Sequence, residues 1–257
     1  MRFDIFSLFP EVFQPYLEIS ILKRALQNQL IEVHTHNIRD WAADRHHTTD
    51  DTPYGGGGGM ILKPEPVFAA VEDVLGAPPA CPVILLCPQG QPFTQQLAFE
   101  LAAYERLGII CGRYESFDER IREHLATHVI TIGDFILTGG ELPALMLLDA
   151  VARLQPGVLG DNEAASDDSF SNGLLEYPQY TRPPEFRGWT VPDVLLQGDH
   201  ARQSRWKREQ ALIRTLLWRP DLLLKADLTD KDRKFLEDYV AQKLARQMED
   251  SDTDQDR

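Results

Sequence analysis

The sequence predicts an α/β fold, in which a parallel sheet is followed by a smaller helical domain. Short, fully apolar segments at 82–87, 108–111 and 128–132 alternate with amphipathic segments of helical spacing. Strands of that composition are typical of sheets covered by helices on both faces. The pattern changes after Gln155-Pro156-Gly157, which ends a helix, and four prolines make residues 178–192 irregular.

The predicted elements follow in a regular order. Residues 2–9 alternate apolar and polar side chains, which predicts a first strand and not a signal peptide. Apolar spacing predicts a helix over 17–30, and alternation predicts a strand over 31–38. Residues 40–60 are polar, end in the glycines Gly55 to Gly59, and are expected to form a loop without regular structure. Further helices are predicted at 66–75, 94–106, 117–126 and 141–154.

Domain boundaries follow the same changes. We expect a sheet domain over residues 1–160, a flexible linker over 161–173, a helical domain over 174–246 and a disordered acidic tail over 247–257. After Met248 the tail is acidic and has no large apolar residue, a composition that does not bury a core.

Charge is unevenly distributed along the chain. The formal net charge of −14 argues by itself against a nucleic-acid binder. Residues 202–219, however, contain Glu209 as their single acid and the cations Arg202, Arg205, Lys207, Arg208, Arg214 and Arg219. Contact with phosphates and a solvated amphipathic face both explain this pattern.

Several classes of protein are excluded. No apolar run approaches 18 residues, so no membrane span is expected. Cys81, Cys87 and Cys111 form no CxxC pair and are expected to be buried free thiols. The pair His46-His47 is interpreted as polar surface and not as a metal site. Together these features predict a cytoplasmic protein.

Three glycine-bearing turns follow predicted strands: residues 88–90, 112–115 and 132–141. In a parallel sheet such turns lie at one edge, where ligands bind. No GxGxxG or P-loop pattern is present, so a nicotinamide, flavin or P-loop nucleotide site lacks its signal. Ordinary turns remain an alternative. For Gly55 to Gly59, a lid or flat partner surface and a plain flexible loop both remain open.

Ten motifs occur in order along residues 1–245. They are SLFPE at 7–11, DRHHTTDDTPYGGG at 44–57, PQG at 88–90, CGRYE at 111–115, DER at 118–120, IGDFILTGGELPA at 132–144, PGVLG at 156–160, DSF at 168–170, YTRP at 180–183 and VPDVLLQGDH at 191–200. Together they resemble the motifs of the bacterial tRNA (guanine-N1)-methyltransferases.

The resemblance implies a SPOUT methyltransferase domain with a deep trefoil knot and a helical C-terminal domain that binds tRNA. It also implies a homodimer whose active sites are shared between subunits. The implied reaction transfers a methyl group from S-adenosylmethionine to N1 of the guanosine at tRNA position 37, 3′ of the anticodon.

Site residues are implied by position. The S-adenosylmethionine pocket would be formed by Leu86, Pro88, Gly112, Tyr114, Ile132, Gly133, Asp134, Phe135, Ile136, Leu137, Gly139, Gly140 and Pro143. Asp168 would be the general base, Arg153 would stabilise charge on O6, and Glu115 would be linked to a requirement for Mg²⁺. Arg202, Arg205, Lys207 and Arg208 would contact tRNA.

The residues alone allow simpler interpretations. Asp168, in a cluster with Asp161, Glu163 and Asp167, would be a solvated linker acid. Arg153 would compensate a helix dipole, and Glu115 would be an acid in the first turn of a helix.

The chain departs from the family pattern at three positions. Gly58 stands where we expect proline, Gln91 where we expect arginine, and Phe135 where we expect tyrosine. These changes affect loop stiffness, RNA contact and a hydroxyl contact more than the type of reaction. Two other functions remain open: a ribose 2′-O-methyltransferase of the same superfamily, which would not need a base at Asp168, and an RNA-binding module without catalysis.

Overall fold

The computed structural model describes residues 1–160 and 168–255, with residues 246–255 as backbone. The chain divides into two compact units, Met1–Ala165 and Ser166–Arg257. The predicted linker over 161–173 lies partly outside the described residues, as do Asp161, Glu163 and Asp167.

The first unit is built on a five-stranded sheet whose neighbouring strands all run parallel, which confirms the predicted α/β sheet. The strands of this unit are β1 (Arg2–Ser7), β2 (Glu32–Asn37), β3 (Asp50–Asp51), β4 (Ile61–Leu62), β5 (Val83–Pro92), β6 (Arg106–Cys111), β7 (Ser116–Phe117) and β8 (His128–Thr131). The order in the five-stranded sheet is β2-β1-β6-β5-β8.

Helices cover both faces of this sheet. They are α1 (Gln14–Leu17), α2 (Ser20–Gln27), α3 (Pro64–Leu75), α4 (Gln95–Ala102), α5 (Glu119–His124) and α6 (Glu141–Ala152). Side chains alternate between faces along a strand, so Ile84 packs in a cluster with α2, α4 and α6, whereas Leu85 packs in a second cluster with α3 and α5. The two clusters form the core of the unit.

A small second sheet corrects the prediction of an irregular loop over 40–60. A 3₁₀ turn, Ile38–Trp41, continues into this stretch, and β3 pairs antiparallel with β4. β4 also pairs parallel with β7. Strands of two residues contain too little alternation to be predicted. The glycines Gly55 to Gly59 therefore belong to the connection between two paired strands.

In the part of the second unit that the structure describes, a short antiparallel hairpin is followed by four helices. The elements are β9 (Glu185–Phe186), β10 (Trp189–Thr190), α7 (Asp193–Leu196), α8 (His200–Trp218), α9 (Pro220–Leu223) and α10 (Asp230–Gln255). Leu174, Ala211 and Leu212 form its buried core, against which Phe235 and Leu236 pack. None of the helices that the structure describes has the length and apolar character needed to cross a membrane.

Two details differ from the sequence prediction. The hairpin lies in the stretch that the prolines led us to expect as irregular. The backbone of α10 is helical through Gln255, so the helix extends into residues predicted as a disordered tail. Gln247, Met248 and Glu249 have good helix propensities, which is consistent with this extension.

Candidate active site

The three predicted turns meet at one edge of the sheet. They follow or interrupt β6, β5 and β8, which are neighbours. The first turn was predicted to follow the end of its strand, and this detail was wrong. β5 continues through the turn to Pro92, and its pairing to β8 has a bulge between Leu86 and Gln91. The second and third turns are joined by the Gly140 amide, which donates to the Gly112 carbonyl at 2.8 Å.

A cavity of about 170 Å³ opens where these turns meet. Of the residues implied for the donor pocket, those that line it are Leu86, Pro88, Gly112, Tyr114, Ile132, Phe135, Ile136, Leu137, Gly139, Gly140 and Pro143. Gly133 and Asp134 belong to the third turn but do not line the cavity. The walls are mainly apolar side chains together with the glycines of the second and third turns, a composition typical of small-molecule sites.

Sequence reasoning missed several lining residues. They are Cys87, Arg113, Ser116, Phe117, Ile130, Thr131 and Thr138. Arg113 and Thr138 lie inside motifs that were recognised, so position within those motifs was the available signal. Ser116 and Phe117 reach the cavity through β7, which the sequence did not predict.

A buried carboxylate lies directly behind the lining. Glu141, the first residue of α6, is 2% exposed and accepts a hydrogen bond from the Ser7 hydroxyl at 2.7 Å. Arg113 pairs with the same carboxylate. Burial, and secondarily the charge of Glu141, raise the pKa of the Cys111 thiol well above its usual value, so this cysteine is held as a neutral thiol.

The mouth of the cavity exposes apolar side chains. Phe135, Ile136 and Leu137 are all exposed, and Ile136 is 78% exposed. Tyr114 has a φ of +62°, a region that bulky residues rarely adopt. Backbone strain of this kind is common at binding sites, where surrounding structure holds it in place.

The glycine-rich connection ends at the rim of this cavity. The Glu115 amide donates to the Met60 carbonyl at 3.1 Å, and the Glu115 side chain packs directly against Gly59. Glu115 lines the cavity and is exposed. Within residues 1–160 and 168–255, no group of three or more His, Cys, Asp or Glu side chains could hold a metal ion. The described residues therefore do not form a recognisable Mg²⁺ site.

The implied base and its cationic partner lie in different units. Arg153 is half-buried, directly after α6, where its amide donates to the Asp149 carbonyl at 3.1 Å. Asp168 is half-buried near the start of the second unit, and its carbonyl accepts from the Ser171 amide at 3.2 Å.

The cations of α8 have different environments. Arg205 has a side chain that is 81% exposed and pairs with Glu209 at 2.8 Å. Arg202 is exposed, and Lys207 places its Nζ 4.5 Å from the centre of the Tyr177 ring.

Arg208 instead belongs to the structure of the second unit. Its Nη2 and Nε donate to the two carboxylate oxygens of Asp232 at 2.9 and 3.2 Å. Hydrogen bonds from Arg208, and then from Thr229, lower the pKa of Asp232 to about 2, although burial opposes them. This geometry favours a structural role for Arg208.

The fold defines an α/β protein that has a cavity of a size suited to a small molecule at the carboxyl edge of its parallel sheet. Comparison with known proteins identifies the family. Residues 1–225 match the family model described as tRNA (Guanine-1)-methyltransferase TrmD.

Individual relatives agree with this match. The chain is 59% identical over 243 residues to a tRNA (guanine-N(1)-)-methyltransferase of Dehalococcoides mccartyi, covering 94% of this chain and 98% of the relative. It is 57% identical over 243 residues to the protein of that name from Brevibacillus brevis, covering 95% and 100%. The protein of that name from Staphylococcus carnosus is 56% identical over 242 residues, covering 94% and 98%. The chain therefore belongs to the tRNA (guanine-1)-methyltransferase family, and it is a methyltransferase of the SPOUT superfamily.

Proposed function

We propose that this protein transfers a methyl group from S-adenosylmethionine to N1 of the guanosine at tRNA position 37, 3′ of the anticodon. The observation that supports this most directly is the strand-edge cavity, because the family motifs and the cavity lining coincide in three separate turns.

The cavity suits the methyl donor. Leu86, Ile132 and Pro143 offer apolar surface for an adenine ring. The glycine-bearing turns would let backbone groups approach the edge of that ring. When bound, S-adenosylmethionine supplies an electrophilic methyl group on a positively charged sulfur.

Two side chains would support the chemistry. N1 of guanine carries a proton and is a weak nucleophile until that proton leaves. The Asp168 carboxylate would accept the proton as the bond from N1 to the methyl carbon forms and the carbon–sulfur bond breaks. Negative charge develops on O6 as the N1 proton leaves, and the Arg153 guanidinium would stabilise it until the methyl group is bonded to N1. The implied Mg²⁺ has no step in this scheme, because the described residues provide no fitting metal site.

The proposal includes a homodimer with shared active sites and a trefoil knot in the sheet unit. Exposed apolar side chains on the first unit support the dimer. Leu142 and Met146, one turn apart on α6, are both more than half exposed, and Ile19 is also exposed. Apolar surface of this kind is typical of an interface between protein chains.

The second unit would bind tRNA. We assign the domain boundaries as a sheet domain to residue 160, a linker to 173, a helical tRNA-binding domain to 246 and an acidic tail beyond it. Arg202, Arg205 and Lys207 on α8 would contact phosphates, which position RNA without reading its sequence. Arg208 would contribute mainly through its pair with Asp232.

Product analysis tests the proposal. Unmodified tRNA is incubated with the protein and S-adenosylmethionine labelled in its methyl group, digested to nucleosides and separated. We expect 1-methylguanosine from a tRNA with G37 and none from a matched tRNA in which G37 is replaced by A37. A ribose-methylated nucleoside would instead indicate a 2′-O-methyltransferase, and RNA binding without product would indicate a binding module.

A further inference from the structure

Glu141 connects three parts of the site through one carboxylate. It begins α6, immediately after the third turn, and its side chain reaches both Ser7 at the end of β1 and Arg113 in the turn after β6. Ser7 is fully buried and also accepts a hydrogen bond from the Phe9 amide at 2.9 Å. A single charged group therefore joins segments that are 134 and 28 residues apart from it in sequence.

The charge of Glu141 is balanced by Arg113. Oε1 accepts from Arg113 Nε at 3.1 Å, and Oε2 lies 2.9 Å from Nη2 as an ion pair without hydrogen-bond geometry. Oε2 receives no hydrogen bond among the described residues. Because an unpaired buried carboxylate is costly, Glu141 depends on this guanidinium for compensation.

Arg113 in turn lines the cavity and contacts several protein groups. Nη1 donates to the Thr138 carbonyl at 3.4 Å, and the guanidinium carbon lies 4.4 Å from the centre of the Phe9 ring. The pair also fills the space beside Gly139, where a Cβ atom would lie 2.4 Å from Arg113 Nε. All three guanidinium nitrogens are directed at protein groups, which leaves Arg113 a neutralised part of the wall.

We propose that Glu141 is a positioning residue of the donor cavity, which fixes Arg113 against the 138–140 turn and cancels its positive charge so that the cavity accepts a cationic sulfonium. This inference rests on the proposed function. Arg113 without its partner would present a positive charge to a ligand that is itself positive, and would oppose binding of S-adenosylmethionine. The demethylated product, S-adenosylhomocysteine, is a neutral thioether at the same position and would not feel that repulsion.

The ratio of the dissociation constant of S-adenosylmethionine to that of S-adenosylhomocysteine separates an effect of charge from an effect of cavity shape. Glu141→Gln keeps the size of the side chain and an oxygen for Ser7 but removes the charge. We expect the variant to weaken the binding of S-adenosylmethionine about tenfold more than the binding of S-adenosylhomocysteine. This is the size of effect expected for one uncompensated charge within about 10 Å at an effective dielectric constant near 20. Glu141→Asp keeps the charge and shortens the reach, so it should weaken both ligands by similar factors.

A double variant provides the rescue. Arg113→Gln combined with Glu141→Gln restores neutrality, and the ratio should return to the wild-type value even if both affinities are lower. Binding is measured by isothermal titration calorimetry on the full chain, after circular dichroism and thermal unfolding confirm that each variant is folded. If Glu141→Gln does not fold, Arg113→Gln alone leaves the negative charge of Glu141 uncompensated and should change the ratio in the opposite direction, in favour of S-adenosylmethionine.

Three results would overturn the proposal. One is an equal loss of affinity for both ligands in Glu141→Gln, which would mean that Glu141 has a purely structural role. Another is no change in either affinity. The third is a double variant whose ratio departs from the wild-type value. Wild-type protein that binds neither ligand would instead refute the proposed donor pocket, so the two failures are distinguishable.

Discussion

The Gly140 amide donates a 2.8 Å hydrogen bond to the Gly112 carbonyl, and this bond holds together two of the turns that form the cavity. The approach is close because Gly140 has no side chain. A Cβ atom on Gly140 would lie 2.7 Å from Cys111 Cα and 2.8 Å from the Gly112 nitrogen, both of them backbone atoms that cannot swing aside.

Gly140→Ala should therefore force the two turns apart. We expect the affinity for S-adenosylmethionine to fall more than tenfold, with a loss of about 1–3 kcal/mol in the free energy of unfolding, as for an overpacked core position. Calorimetric titration and urea unfolding measure the two effects. Gly198→Ala is the matched control, because a Cβ atom there would meet nothing within 4 Å. Donor binding by Gly140→Ala at wild-type strength would show that the contact is not required.

Asp168→Asn tests the proposed base. The amide has nearly the same size as the carboxylate but cannot accept the N1 proton. We expect kcat to fall by at least about 100-fold, the contribution typical of a general base, while the dissociation constant of S-adenosylmethionine stays unchanged. Single-turnover kinetics with saturating tRNA measure the chemical step directly.

Glu185→Gln is the matched control for this variant. Glu185 is an exposed acid in the hairpin of the same unit, so its neutralisation should leave the rate unchanged. A wild-type rate for Asp168→Asn would remove Asp168 from the mechanism and would revive its interpretation as a solvated linker acid.

The sequence predicted the sheet better than the connections around it. Runs such as 82–87 are apolar on both faces, and this pattern is hard to satisfy except in a covered parallel sheet. The turns were located for the same reason, since they follow the runs. The strands β3, β4 and β7 were missed because two residues contain no periodicity, so the anchoring of the glycine connection beside Glu115 could not be predicted.

The partners of buried charges were also beyond sequence reasoning. Glu141 pairs with Ser7 across 134 residues, and no local pattern marks a contact of that range. The same limit applied to α8, where Arg205 and Arg208 look equivalent in the sequence. Only the position of Asp232, which follows in another helix, separates their roles.

Asp4 predicts an acid-sensitive step in the stability of the first unit. Its carboxylate is fully buried and accepts hydrogen bonds of 2.8 Å from Arg2 and Arg106, with His36 Nε2 also at 2.8 Å. Burial would raise the pKa of this carboxyl group, but the hydrogen bonds from His36, Arg2 and Arg106 outweigh it and hold the pKa well below its usual range.

The direction of the pH effect follows from this lowered pKa. An Asp side chain in the unfolded chain titrates near pH ~3.9, so the stabilisation by Asp4 is complete above that pH and is lost as the pH falls towards the folded value. Asp4→Asn should lower the free energy of unfolding at pH 7 by about 3–5 kcal/mol, because it leaves buried cations without their partner. Below pH ~4 the difference between variant and wild type should shrink.

Urea unfolding followed by circular dichroism at pH 7 and at pH 3 measures this difference. Glu105→Gln, which neutralises an exposed acid in the same unit, serves as the control and should change stability little at either pH. A loss for Asp4→Asn that is the same at both pH values would mean that the carboxyl group does not titrate in this window.

Arg205 and Arg208 form a matched pair for testing how α8 acts on RNA. They lie three residues apart on one helix, yet Arg205 is largely exposed whereas Arg208 makes two hydrogen bonds to Asp232. Removing Arg208 leaves a carboxylate that is itself nearly buried and whose pKa is lowered to about 2 by this partner. We therefore expect Arg208→Ala to destabilise the second unit by about 1–3 kcal/mol, the cost of a lost charged partner.

Arg205→Ala should behave in the opposite way. Its exposed pair with Glu209 contributes little to folding, so stability should change by less than about 1 kcal/mol. If Arg205 contacts a phosphate, its loss should weaken tRNA binding and lower the slope of log Kd against log salt concentration by about one unit. Binding is measured by filter retention or fluorescence anisotropy between about 50 and 200 mM salt, the range over which phosphate contacts change affinity strongly. The two assignments would be reversed if the slope is unchanged in Arg205→Ala but reduced in a fully folded Arg208→Ala. The phosphate contact would then belong to Arg208, the cation that the structure pairs with Asp232.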